Sequence, residues 1–124
     1  MSGKDFETSW PLLHHVLLRH LDDELVRFTH HASEQIRFRD VSEDTVRSII
    51  RDGKPVEMFD AFQYPHGEEP FQNSDPVFTF IGEVRGEKMA VALSIRMKKG
   101  RSGIEAQFRV VTVITELRGR HTKQ

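Results

Sequence analysis

The sequence predicts an α+β domain in which N-terminal helices pack on a four-stranded antiparallel sheet. Three observations predict it. Up to Gly53, apolar residues recur at three- and four-residue steps behind capping residues, the spacing that lines one face of a helix. From Lys54 the grammar changes to β-branched and aromatic residues in alternation or short runs, as strands require. Glycine-bearing turns separate the last three of those runs, as hairpins do.

The first helix is expected over Trp10 to Val26, with Thr8 and Ser9 as N-cap candidates and Pro11 in the first turn, where its missing N–H is harmless. Leu13, Val16, Leu17, Leu21 and Leu25 form one apolar stripe, so the helix needs a partner surface, either the sheet or another subunit. Val26 to Thr29 reads as a short extended piece. A second, short helix follows from about His31 to Arg39, with Ala32 and Ile36 on one face. Asp40 and Val41 break it, Ser42 caps a third helix whose Val46, Ile49 and Ile50 face inward, and Gly53 stops that helix. The strand segments are PVEMFDAF, PVFTFIGEV, KMAVALSIRM and IEAQFRVVTVITEL. Arg85-Gly86-Glu87 and the run from Lys98 to Gly103 are the hairpin connections, which makes the last three strands an antiparallel meander. Gln63 to Asp75, with two prolines and a glycine, is the one long loop, and loops of this length are often functional. The polar tail Arg118 to Gln124 reads as frayed.

At 124 residues the chain has the length of a single domain with its own core. It has 37% apolar and 30% charged residues with nine Phe, a globular composition. The lack of cysteine excludes disulfides, thiol catalysis and thiolate metal sites, and fits a reducing compartment. No apolar run approaches the roughly 18 residues of a membrane span, and the start carries acids and no apolar signal core. A cytoplasmic location with no membrane partner is therefore expected. The formal net charge of -1 hides a division. Residues 1–83 hold 8 Lys and Arg against 16 Asp and Glu, net -8, whereas 84–124 hold 10 against 3, net +7. A positive strand surface of this kind can meet phosphates or an acidic partner; the plainer reading is a set of solvated faces.

Thr29, His31-Ala32, Arg39, Val41-Ser42 and the helix end Ile49-Ile50-x-x-Gly53, followed by Arg109-Val110-Val111-Thr112-Val113, resemble the family catalogued as domain of unknown function 4258. The resemblance covers about Phe28 to Thr115, with residues 1–27 as an added amphipathic helix, 28–117 as the core and 118–124 as a flexible tail. The chain departs from the family pattern at Gln35, where an Arg is usual, and at Asp40, where a Gly is usual. The family is similar to the RelE and BrnT ribonuclease toxins. The resemblance therefore implies a RelE/barnase-like fold, a toxin–antitoxin setting, RNA as a ligand, and a small acidic protein partner; fold kinship does not by itself confer activity.

A metal-independent ribonuclease needs a base for the ribose 2′-hydroxyl, an acid for the leaving oxygen and a cation against the phosphorane charge. On this chain the candidates for catalysis are His31, Arg39 and Arg96, and those for substrate binding are Tyr64, His66, Lys98 and Arg109. His31 and Arg39 lie two turns apart on one helix, roughly 80° around its axis on ideal geometry, a separation that lets both flank one groove. Each has a structural alternative. The His31 ring can satisfy a backbone group at the helix start, and Arg39 can pair with Asp40, Glu43 or Asp44. Five of the seven histidines lie in the first quarter, but His14 and His15 point about 100° apart on a helix and no carboxylate completes a ligand spacing. Neither a metal nor another cofactor is expected. No Gly-x-Ser-x-Gly elbow marks a serine nucleophile. The competing reading is a non-catalytic interaction module, in which the first helix forms a homodimer or docks a partner.

Overall fold

Five strands in the order β1-β5-β4-β3-β2 build the sheet of the computed structural model, which describes residues 6–67, 69–101 and 103–114. The elements are α1 (Phe6–Asp22), β1 (Arg27–Phe28), α2 (His30–Phe38), α3 (Glu43–Asp52), β2 (Pro55–Phe59), β3 (Val77–Val84), β4 (Glu87–Gly100) and β5 (Gly103–Ile114). The α+β class and the antiparallel β2-β3-β4-β5 run agree with the sequence. The count of four strands does not. The extended piece after Val26 joins β5 in parallel, through Arg27 opposite Arg109 and Phe28 opposite Val110, so the sheet is mixed. Two residues of strand are too few to register as an alternating pattern. The expected tail lies outside the described residues.

Local chemistry accounts for the helix ends. Thr29 and Ser42 hold extended backbone and accept hydrogen bonds from the amides of Ala32 and Thr45, so each caps the helix that follows. α1 starts earlier than its cap candidates suggest. Thr8 and Ser9 lie inside it, and Pro11 is its sixth residue. Arg85 and Gly86, both at positive φ, form the two-residue turn between β3 and β4, as the right-handed twist of a hairpin favours. The Arg85 guanidinium reaches back to the carbonyls of Arg39 and Asp40 and ties this turn to the α2–α3 corner.

One face of the sheet carries the main core. Phe78 and Phe80 of β3, Val91 and Leu93 of β4, and Phe108 and Val110 of β5 are buried under Trp10, Leu13, Leu17 and Leu21 of α1 and Val46 and Ile50 of α3. Leu13, Leu17 and Leu21 of the expected stripe are thus consumed inside the molecule, whereas α1 ends at Asp22, short of Val26, and leaves Leu25 beyond it exposed. α3 approaches β3 closely enough that a Cβ on Gly82 would lie 2.5 Å from the Ile49 side chain. The opposite face is covered by the long loop, whose Tyr64 packs with Val77, Ala92 and Val111. Between those two faces β5 carries a bulge: Ala92 pairs with Thr112 but Leu93 pairs with Val110, leaving Val111 as the extra residue. The bulge resets the alternation so that Thr112 shares the loop-covered face with Val111 while Val113 returns to the core.

Candidate functional site

α2 begins where β1 runs out, and the chain uses that junction to close the edge of β5. The Thr29 amide donates to the carbonyl of Val110 at 2.9 Å, its hydroxyl to that of Val111 at 3.5 Å, and Gln35 Oε1 accepts from the Val113 amide at 2.8 Å. Gln35 therefore serves as a tie between α2 and the sheet. These ties plant the N-terminal turn of α2, with its His30 and His31, against β5. The positive end of the helix dipole faces the same side.

The long loop supplies the opposite wall. It is laced by a bond from the Phe62 amide to the Asn73 carbonyl (2.7 Å) and another from the Phe71 amide to the Tyr64 carbonyl (2.8 Å). Asn73 Oδ1 accepts from the Asp75 amide, and the Asp75 carboxylate, 13% exposed, accepts from Arg96 Nε at 3.2 Å. Phe62 and Phe71 both adopt left-handed backbone, with φ of 64° and 63°. For a side chain with a Cβ that conformation costs about 1–2 kcal/mol. Gly67, at φ 92°, turns over Thr112, where a Cβ would lie 3.0 Å from the hydroxyl oxygen.

Between these walls lies a cleft of about 340 Å³, lined on one side by Thr29, His30 and His31, on the other by the loop from Tyr64 to Ser74, and floored by Arg109, Val111 and Thr112. Its volume sits at the lower end of the roughly 300–1,000 Å³ of small-molecule sites. His31 is half-buried, whereas His30 turns outward to Glu34 at 3.3 Å. Arg109 is exposed at the rim, and among the described residues no carboxylate pairs with it. Tyr64 is only 4% exposed, so it packs as a platform, edge-on to Phe59 at 5.3 Å and to the His66 ring at 5.6 Å. The Thr112 hydroxyl, in a residue 2% exposed, has no hydrogen-bond partner among the described residues, an uncommon state for a buried polar group.

The residues expected to act together are thus partly regrouped. His31, Tyr64, His66 and Arg109 share one cleft. Arg39 does not join them: it lies eight residues beyond His31, about 12 Å along the helix axis, and lines a smaller hollow with Val84, Arg85 and Lys88. Of the carboxylates expected beside Arg39, Glu43 and Asp44 both bind Arg47. Arg96 lines a different concavity of about 570 Å³, shared with Val16, Leu25 and Phe108, and holds Asp75 there. That concavity is larger, and beside its apolar residues and the Arg96–Asp75 pair it is lined by Arg27, Glu105, Gln107 and Arg109, so Arg109 borders both hollows. The Lys98 side chain lies outside the described residues. Thr29, Asn73 and Thr112 were not among the expected catalytic or binding residues, because loop course and strand bulge bring them to the cleft.

The early histidines have structural partners of their own. His14 stacks on Trp10 at 5.2 Å, and His20 Nδ1 donates to the Val16 carbonyl at 2.9 Å and meets Phe108 edge-on. Among the described residues no group of three His, Asp or Glu is placed to hold a metal ion, and no helix is long and apolar enough to cross a membrane. No family model, curated protein or solved structure matches the chain.

Proposed function

We propose that this domain binds RNA and cleaves it without a metal at the cleft between α2, the long loop and β5. The convergence of two imidazoles, His31 and His66, with the guanidinium of Arg109, which no carboxylate among the described residues pairs, carries this reading. A helix N-terminus beside a guanidinium favours an anion, and a phosphodiester is an anion whose cleavage two imidazoles can serve. One imidazole takes the proton of the ribose 2′-hydroxyl as its oxygen attacks phosphorus. The P–O5′ bond breaks and the other imidazole protonates the departing oxygen, leaving a 2′,3′-cyclic phosphate. Arg109 opposes the charge that develops on the phosphorane. Kinship with domain of unknown function 4258, a RelE/barnase-like fold, a cytoplasmic setting and a small acidic antitoxin-like partner belong to this same proposal. The burial of Trp10, Leu13, Leu17 and Leu21 weighs against docking through α1, because that apolar face already covers the sheet.

Incubating the full chain with end-labelled mixed RNA in EDTA tests the proposal. Expected are fragments ending in cyclic phosphate, with rates lowered about 10²–10⁴-fold in His31→Ala and in His66→Ala. Intact RNA in the wild-type lane removes the cleavage proposal, and equal rates in all three proteins remove the assignment to this cleft.

A further inference from the structure

The long loop holds a feature that the cleft chemistry leaves unused: Phe62 and Phe71 are 55% and 57% exposed, and both hold the left-handed backbone that glycine and asparagine adopt more easily. Neither force that usually selects a phenylalanine operates here. The ring is not buried, and the backbone would favour another residue. What remains is the exposed ring itself. The two rings belong to opposite legs of one laced loop, Phe62 bonded across to Asn73 and Phe71 to Tyr64, and both of these partners line the cleft that holds Arg109 and the two imidazoles.

We infer that Phe62 and Phe71 are stacking platforms for the bases of single-stranded RNA whose phosphate enters the cleft. This rests on the reading of the cleft as a phosphodiester site. Unpaired bases are bound by stacking on aromatic rings, while a duplex hides its base faces and offers only its backbone. Each backbone bond across the loop ties the main chain of its Phe to a residue that lines the cleft, so the rings are carried by the same loop that would meet the phosphate. The polar cleft, lined by Arg109 as well as Glu69, favours a nucleic acid over an apolar protein face.

Binding of a 2′-O-methyl oligouridylate of about eight nucleotides, which resists cleavage, separates the possibilities when compared with an abasic strand of equal length and with a duplex. Phe62→Asn and Phe71→Asn are each expected to weaken oligouridylate binding about tenfold and to leave the abasic strand unchanged. Phe71→Tyr keeps the affinity. Asparagine relieves the left-handed backbone, so the thermal midpoint of either variant stays level or rises, and lost binding does not reflect lost folding. Arg109→Ala weakens all three probes. If Arg109→Ala weakens binding and the Phe variants do not, the stacking inference fails while the cleft reading stands. If no probe binds the wild-type protein, both fail. Equal losses on duplex and single strand, or loss of self-association with RNA binding intact, also overturn the inference, the latter by assigning the rings to protein contact.

Discussion

Arg96 and Arg109 sit on adjacent strands of one sheet and differ in what they touch. Arg96 grips Asp75 and so anchors the end of the long loop, whereas Arg109 stands at the rim of the cleft and pairs with no carboxylate among the described residues. Substituting each by Ala should therefore give different signatures. Arg109→Ala is expected to lower RNA affinity and reduce the slope of log affinity against log salt by about 0.7, one phosphate contact on a single strand. Arg96→Ala leaves that slope in place and costs about 1 kcal/mol of stability in urea unfolding, because the mostly buried Asp75 carboxylate loses its partner. Identical effects on salt slope would contradict the division of roles. Sequence alone could identify both as basic residues on alternating strands. It could not rank them, because Asp75 comes from a loop 21 positions away and its approach depends on the course of that loop.

At the scale of elements, what depends on neighbouring residues is legible and what depends on distant pairing is not. Ser42 caps α3, Gly53 ends it, and Arg85-Gly86 turns the β3–β4 hairpin, all as the local chemistry requires. The parallel β1 is set by contacts across 82 positions, the bulge at Val111 by strand register and the lacing of the long loop by backbone bonds across 7 and 11 positions that no side-chain pattern marks, and they are the features that shape the cleft. Thr29 stands where both kinds meet. Its hydroxyl caps α2 and its amide and hydroxyl hold β5, so it fixes the wall that carries His31. Thr29→Ala should destabilise the fold by about 1 kcal/mol, while Thr29→Ser, which keeps the capping hydroxyl, avoids most of the loss. Chemical denaturation measures the difference. A neutral Thr29→Ala would show that the strand contacts of β1 position α2 without the cap.

On the scale of the whole molecule, the helix over residues 6–22 decides whether the sheet and the two shorter helices form an independent unit. The apolar pattern of α1 is legible in sequence, but its partner is not: an amphipathic stripe fits a sheet and a second subunit equally well until the sheet is built. In the fold, Leu17 is fully buried, Trp10 lies against Phe78 and Phe80 at ring separations of 5.9 and 5.7 Å, and Arg51 of α3 reaches Asp22 at 2.9 Å. Burying each large apolar side chain contributes roughly 1.5–3 kcal/mol, so the four residues Trp10, Leu13, Leu17 and Leu21 together match the whole stability of a typical small domain, about 5–15 kcal/mol. A chain beginning at Leu25 is therefore expected to lose cooperative thermal unfolding and to bind a dye specific for exposed apolar surface. A detachable docking helix predicts the contrary result, an unchanged thermal midpoint with only self-association lost. The single substitution Leu17→Ala distinguishes the same alternatives without truncation: a core position costs about 2–5 kcal/mol, and an interface position leaves the isolated subunit unchanged.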